Sequence, residues 1–313
     1  MIRPRVRVRV LSDNDYSGDP DGLVQLAHQA LSPSAELVAV IGSHLRAGDP
    51  FDPSGESADR AAAEARAVLA MAGREDVPVI AGTNTGLVDR YTPIDTPAAR
   101  AIIEAALADD PRPLYLCLGA GLTELASAWL LEPAIAGRFT AIWIGGAEYP
   151  DLAVPPPGAT AAEYNTMIDP IAAQVVFNDS DLELWQVPRD AYRQLLASMA
   201  ELEVNLAGEL GAYLLGRLVQ VGEMAGEHGF DTGETYVLGD SPLVLLSTLQ
   251  AAFEPTPASS SWVDHVAPLF AADGSYVGDD PRGRSVRVFT GLDSGLTLRD
   301  LYAKLKLLER TRA

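Results

Sequence analysis

The stretch Asp13-Asn14-Asp15-Tyr16-Ser17-Gly18-Asp19-Pro20-Asp21-Gly22 constrains this chain more than any other. It holds four carboxylates and stands between two patterns of different period. Before it, Val6, Val8 and Val10 alternate with arginines over residues 3–11, the period of a strand. After it, Leu23, Leu26, Ala27, Ala30 and Leu31 recur on one helical face. The acids therefore sit where a first strand hands over to a first helix. In open α/β sheets, ligands bind at the carboxyl ends of the strands. Carboxylates this close repel one another unless a cation neutralises them or some keep their protons. Oxygen ligands of this kind suit a hard cation, Ca²⁺ or Mg²⁺. A simpler account competes. Asp19-Pro20 is a good cap and first-turn pair for the helix, Asp21 favours the helix dipole, and Asp13 and Asp15 are turn residues. Capping accounts for Asp19 but poorly for Asp13 and Asp15, which precede the cap.

Further strand patterns cover residues 36–42, 77–81, 113–118, 139–144 and 182–187. Helix patterns cover 57–72, 97–108, 122–131, 170–176, 190–199, 201–224 and 298–308. Strands alternating with helices predict βαβ units and a mostly parallel sheet. Right-handed crossovers place every strand's carboxyl end on one rim. The rim then holds Asp13, Ser43-His44, Gly82-Thr83-Asn84, residues 119–123 and Gly145-Gly146. Residues 255–261 read as a low-complexity loop, and 262–270 and 285–290 as late strands. The expected fold is α/β, an open, mostly parallel twisted sheet flanked by helices, with the site at the carboxyl ends of the strands. With 48% hydrophobic and 21% charged residues, a single domain over residues 1–313 has enough apolar side chains for a substantial core.

A formal net charge of -20 argues against binding nucleic acid through its phosphates. The only lysines are Lys304 and Lys306. The single cysteine, Cys117, lies in an apolar run and reads as a buried core thiol, in accord with a reducing compartment. The N-terminal alternation of Arg and Val lacks the apolar core of a signal peptide, and no apolar run reaches transmembrane length. The expectation is a cytoplasmic protein without nucleic-acid or membrane partners.

Several separated stretches resemble one family, the nucleoside hydrolases of the inosine–uridine-preferring type. That family carries Asp-x-Asp-x-Gly-x-Asp-Asp after its first strand. Asp13, Asp15 and Gly18 match it if one residue is inserted. Gly121-Leu122-Thr123-Glu124-Leu125-Ala126 is similar to the family's Gly-Leu-Thr-Asn-Ile-Ala, and Ile144-Gly145-Gly146 to its Met-Gly-Gly. Glu163-Tyr164-Asn165 with Asp169-Pro170 resembles Glu-Phe-Asn-x-x-x-Asp-Pro, and Asp240 matches the aspartate of a late His-Asp-Pro. The matches run in the family's order from residue 6 to about 246.

The resemblance implies a Ca²⁺-dependent hydrolase of N-ribosides, acting on a small-molecule nucleoside, as a homodimer or homotetramer. By it, Asp15 is general base and metal ligand. Asp21 and Asp240 complete the charged ligands, and Thr123 gives its backbone carbonyl. Asp19, Glu163 and Asn165 are expected at the ribose, and Asp19 also as a helix cap. Asp169 reads as a cap before Pro170, and Asp240 has a capping alternative of its own. His44 and His228 are candidates for substrate contact. His28 reads as solvated, and His265 is uninformative. Tyr149, Tyr164 and Trp262 are candidates for stacking on a base, against ordinary packing. Two departures stand out: the insertion before Gly18, and Gly239 where many members have a histidine. Two other functions remain open. One is a haloacid-dehalogenase-like phosphatase, suggested by Asp13-x-Asp15 but lacking an early lysine. The other is a ribose-binding protein without efficient turnover.

Overall fold

The computed structural model describes residues 4–227, 229, 233–249 and 259–312. Its early strands are β1 (Val8–Asn14), β2 (Ala35–Gly42), β3 (Val79–Ala81), β4 (Leu114–Leu118), β5 (Thr140–Ile144) and β6 (Leu184–Val187). The later ones are β7 (Leu196–Ser198), β8 (Thr235–Val237), β9 (Ser261–Val266), β10 (Pro268–Phe270), β11 (Tyr276–Asp279) and β12 (Ser285–Gly291). The main sheet runs β3-β2-β1-β4-β5-β6-β12-β9. Every neighbouring pair in it is parallel except β12 with β9, which closes one edge antiparallel. Two small antiparallel pairs, β7 with β8 and β10 with β11, stand apart from it.

Helices α1 (Asp21–Ala30), α2 (Ser57–Met71), α3 (Pro97–Leu107) and α4 (Thr123–Leu131) follow the first four strands in turn. Then come α5 (Tyr164–Ile168), α6 (Pro170–Gln174), α7 (Arg189–Tyr192), α8 (Met199–Asn205), α9 (Gly208–Glu227), α10 (Pro242–Ser247) and α11 (Ser294–Arg312). Both sheet faces are covered, so the two-residue alternation of each strand feeds two cores. Tyr115 and Cys117 of β4 join one core with Val8 and Val10, while Leu114, Leu116 and Leu118 join the other with Leu11. Among the described residues no helix is long and apolar enough to cross a membrane.

The strand order reverses direction between β1 and β4, which both leave the sheet at the same rim. Such a switch point opens a crevice at the carboxyl ends of the strands. The ladder continues past the strands here. Gly119 donates its N–H to the Asp13 carbonyl at 3.0 Å, and Ser43 to the Asn14 carbonyl at 2.9 Å. β1 itself starts at Val8 and runs to Asn14, past the expected end at residue 11, so Asp13 is a strand residue rather than a turn residue.

Two other expectations are corrected. The helix expected over 190–199 stops at Tyr192, and Leu196–Ser198 pairs with β8 instead. His28, expected to be solvated, is fully buried. Every residue of α1 from Gly22 to Ala30 is buried, because later elements of the chain close over its outer face. There α11 brings Asp300 within 2.8 Å of the His28 Nε2, with Lys304 paired to the same carboxylate. Of the low-complexity loop, residues 255–258 lie outside the described residues.

Burial lowers the His28 pKa from 6.5 to about 4, against the opposing pull of Asp300. The neutral ring donates from Nε2 to Asp300, and its buried Nδ1 has no partner. Between those two pH values the unfolded chain binds a proton that the folded chain refuses, so this contribution is complete above 6.5 and is lost toward 4. A shift of this size corresponds to roughly 3 kcal/mol. In denaturant titrations, His28→Gln should lose less stability than the unaltered chain between neutral pH and about 4. Equal losses would contradict a buried neutral imidazole.

Candidate active site

The β1 rim is organised by one amide. Asn14 donates from Nδ2 to Asp240 Oδ2 at 2.8 Å, and its Oδ1 accepts the Asp15 N–H at 2.9 Å. It thus ties the end of the first strand to a residue far along the chain. The amide lies against Gly119, where a Cβ would come within 2.3 Å of Nδ2. Only glycine leaves room for it. The two residues before Gly18, one of them the insertion, turn away from this rim. Tyr16 turns into the core, with its hydroxyl 2.9 Å from Ser12 Oγ, and Ser17 Oγ donates to the Ser57 carbonyl.

A cavity of about 290 Å³ opens at this point. Asp15, Asp19, Asp21, Asp240 and Glu163 all line it, with Asn165, Gly119, Gly239, Phe51, Tyr164, Tyr192 and Arg193 among the other walls. Six expected residues, Asp15, Asp19, Asp21, Glu163, Asn165 and Asp240, are therefore brought together from three segments. Burial raises the pKa of Asp15, and the charges of Asp240 and Asp19 raise it further. Asp21 is raised by burial and then by Asp240, Asp19 and Asp15. Asp240 is pushed up to about 7, chiefly by burial.

The cap position of α1 is Pro20, with no side-chain cap, so Asp19 is not the cap expected; it accepts the Asp21 N–H at 3.1 Å and the Tyr236 hydroxyl at 2.8 Å and faces the cavity. Asp21 Oδ2 accepts the Asp240 N–H at 3.1 Å. Asp240 makes no side-chain cap on α10, whose cap position is Ser241. Its carboxylate is left for Asn14 and the cavity.

Glu163 and Asn165 are fixed by the ends of β4 and β5. Glu163 Oε2 accepts the N–H groups of Gly146 and Asn165, both at 3.0 Å, and Oε1 accepts the Tyr192 hydroxyl at 3.0 Å. Asn165 Nδ2 donates to the carbonyls of Gly119 at 2.9 Å and Ile144 at 2.8 Å. Both amide hydrogens are then in use, and only the amide oxygen remains.

The other expected residues fall elsewhere. His44 is buried behind the cavity rather than in its wall, 2.9 Å from the Leu45 carbonyl and 3.0 Å from Thr123 Oγ1. Contact with substrate is corrected to a supporting position, because both ring nitrogens are already occupied. Thr123 donates its hydroxyl to Asp169 at 2.7 Å and is not in the cavity wall. Asp169 caps α6 through the Ala172 N–H, as expected. His228 lies outside the described residues. Tyr164 lines the cavity, whereas Tyr149 bonds Gln186 within the core and Trp262 packs against the Arg287 guanidinium. Sequence reasoning missed Asn14, Phe51, Tyr192 and Arg193. It also missed Asp49, a buried acceptor for the Tyr164 hydroxyl at 2.9 Å.

The donor set suits a hard cation, since repulsion among buried carboxylates is what a divalent charge relieves. The match is one of charge and donor type. Among the described residues, no three His, Cys, Asp or Glu side chains are arranged to hold one metal ion.

Asn14→Ala would leave the buried Asp240 carboxylate without its donor. An unsatisfied buried group costs about 1–3 kcal/mol, so denaturant unfolding should show a loss of that size. A loss below about 0.5 kcal/mol, the range of neutral surface changes, would mean that Asn14 does not hold the rim together.

The chain matches the family described as inosine-uridine preferring nucleoside hydrolase over residues 10–306. An inosine-uridine preferring nucleoside hydrolase of Leishmania major is 29% identical over 218 residues, 61% of this chain and 63% of that protein. One of Crithidia fasciculata is 27% identical over 205 residues, 57% of this chain and 58% of that protein. These matches span about three-fifths of either relative's length. Among solved structures, a plant nucleoside hydrolase superposes with a TM-score of 0.72 at 20% identity, over 96% of this chain and 99% of that one. A purine-preferring ribonucleoside hydrolase from Gardnerella vaginalis gives 0.69 at 17%, over 97% and 99%. At such identities the structural likeness concerns the fold. The match over residues 10–306 carries the assignment: this chain belongs to the inosine-uridine preferring nucleoside hydrolase family.

Proposed function

We propose that this chain hydrolyses the N-glycosidic bond of a ribonucleoside or related N-riboside, releasing ribose and free base, with Ca²⁺ as cofactor. The observation that carries this reading is the convergence of five carboxylates on one sugar-sized cavity at the β1–β4 crevice. The inner end of that cavity is built from acceptors. Asn165 has only its oxygen left, and the carboxylates accept when ionised. A ligand rich in hydroxyl donors, such as a ribose, complements it.

Asp15, Asp21 and Asp240, which all line the cavity, are the residues we assign to Ca²⁺. The ion would lower the pKa of the attacking water and orient it. Asp15 is the general base: its carboxylate removes the water's proton as the oxygen approaches C1′. Glu163 and Asn165 orient the ribose through its hydroxyls, and their own backbone partners keep them from turning away. Asp19 stands beside them, held by Tyr236, and takes a further ribose hydroxyl. Gly239 favours one rival reading, sugar binding without efficient turnover, because glycine offers no side chain to the leaving base.

Release of base and ribose from a panel of nucleosides with added Ca²⁺ tests the proposal, and binding without release would favour the rival. Asp15→Asn should lower turnover by about 10²–10⁴-fold, the usual contribution of a general base. Asp19→Ser should keep Ca²⁺ affinity, because a serine hydroxyl can still accept the Asp21 N–H, while Asp21→Ser should lose it. The reverse pattern in calorimetric titrations would exchange the two assignments.

A further inference from the structure

The cavity carries a charge asymmetry that the reaction as described does not use. Against its five carboxylates stands one cation among the described residues, Arg193. No described histidine, lysine or cysteine lines it. Arg193 directly follows α7 and is exposed at the cavity mouth, whereas Asp15, Asp240 and Glu163 are buried at the inner end. Among the described residues its guanidinium has no hydrogen-bond or ion-pair partner. Its charge reaches Glu148, but Arg189 already grips both oxygens of that carboxylate, at 2.7 and 2.5 Å. The preceding residue is clamped. Tyr192 bonds Glu163, and a Cβ on Gly239 would come within 3.2 Å of its ring.

The other O–H groups of the wall are in use. Tyr192 donates to Glu163 and Tyr164 to Asp49. With Asp15, Asp21 and Asp240 ionised on the cation proposed above, no described side chain in the wall is a free proton donor of suitable acidity for a departing base. A sugar held by hydrogen bonds at the inner end, as proposed above, would turn C1′ and its aglycone toward the mouth.

We propose that Arg193 stabilises the leaving base by charge and hydrogen bonding, without transferring a proton. The proposal rests on the nucleoside-hydrolysis reading and names the group that acts at its leaving-group end. The C1′–N bond breaks and its electron pair stays on the base nitrogen. The water oxygen bonds C1′, and the water's proton passes to the Asp15 carboxylate. The guanidinium donates N–H bonds to the base oxygen or ring nitrogen on which negative charge collects. It keeps its own protons, because arginine stays charged throughout the working range. The base takes its proton from solvent after release.

The test compares inosine, uridine and p-nitrophenyl riboside, each with added Ca²⁺, in the unaltered chain, Arg193→Ala and Arg193→Lys. The side chain is exposed, so the fold should tolerate both changes. Removing one preorganised donor of this kind lowers kcat by roughly 10²–10³-fold. Arg193→Ala should lose about that much on inosine and uridine, and less than about threefold on p-nitrophenyl riboside, whose leaving anion is already stable. Arg193→Lys should recover part of the loss, since it restores the charge but not the planar donor pair. For the unaltered chain, kcat on inosine should not fall between pH 7 and about 9, because this route uses no general acid. Equal losses on all three substrates, no loss on any, or a falling alkaline limb would each overturn the role of Arg193. Failure of the unaltered chain to cleave any of the three would refute the hydrolase reading itself.

Discussion

Mutual repulsion among buried carboxylates is the constraint on which the rest of this site depends. Burial raises the cost of ionising Asp15, Asp21 and Asp240; the charge of Asp240 adds to that cost for Asp15 and Asp21, and the charge of Asp19 adds to it for all three. Such a group stays together only if rigid elements hold it or a cation neutralises it. The fold supplies the rigid part. β1 ends at Asn14 with both its neighbours paired, α1 begins at Asp21, and the Asn14 amide reaches Asp240 across the crevice. The ladder bonds beyond the strands, from Gly119 and Ser43, fix the rim from both sides.

Further polar groups lie behind these carboxylates. Ser43 donates to the buried carboxyl of Asp13, while His44, Thr123 and Asp169 form a connected chain ending at the cap of α6. None of these side chains lines the cavity. Their work is to connect β2, α4 and α6 at the rim, so that the positions of Glu163 and Asn165 follow from the sheet and not from a free loop. The aromatic walls Tyr164 and Tyr192 are held in the same way, each through a hydroxyl on a buried carboxylate.

Much of this arrangement was legible in the sequence. The parallel sheet follows from strands and helices that alternate at regular spacing, and the site from acids placed at a strand end. Local pattern failed where distant segments decide. The polar face of α1 looked solvent-facing, but α11, from the other end of the chain, covers it and buries His28. Residues 196–198 looked helical, but pairing with β8 overrides that preference. No local pattern marks Asn14, because its value lies in a contact with Asp240 far along the chain. Tyr192 and Arg193 follow a strand at the same rim, and only the folded crevice shows that they line one cavity with the acids.

In the proposed site the acid cluster of β1 and α1 acts together with Asp240 on one cation. Crystals grown with Ca²⁺ and examined by anomalous scattering test it most directly. The account predicts a single ion with oxygens of Asp15, Asp21 and Asp240 at about 2.3–2.6 Å. An ion bound elsewhere, or a crevice that stays free of calcium while the carboxylates remain apart, would contradict it.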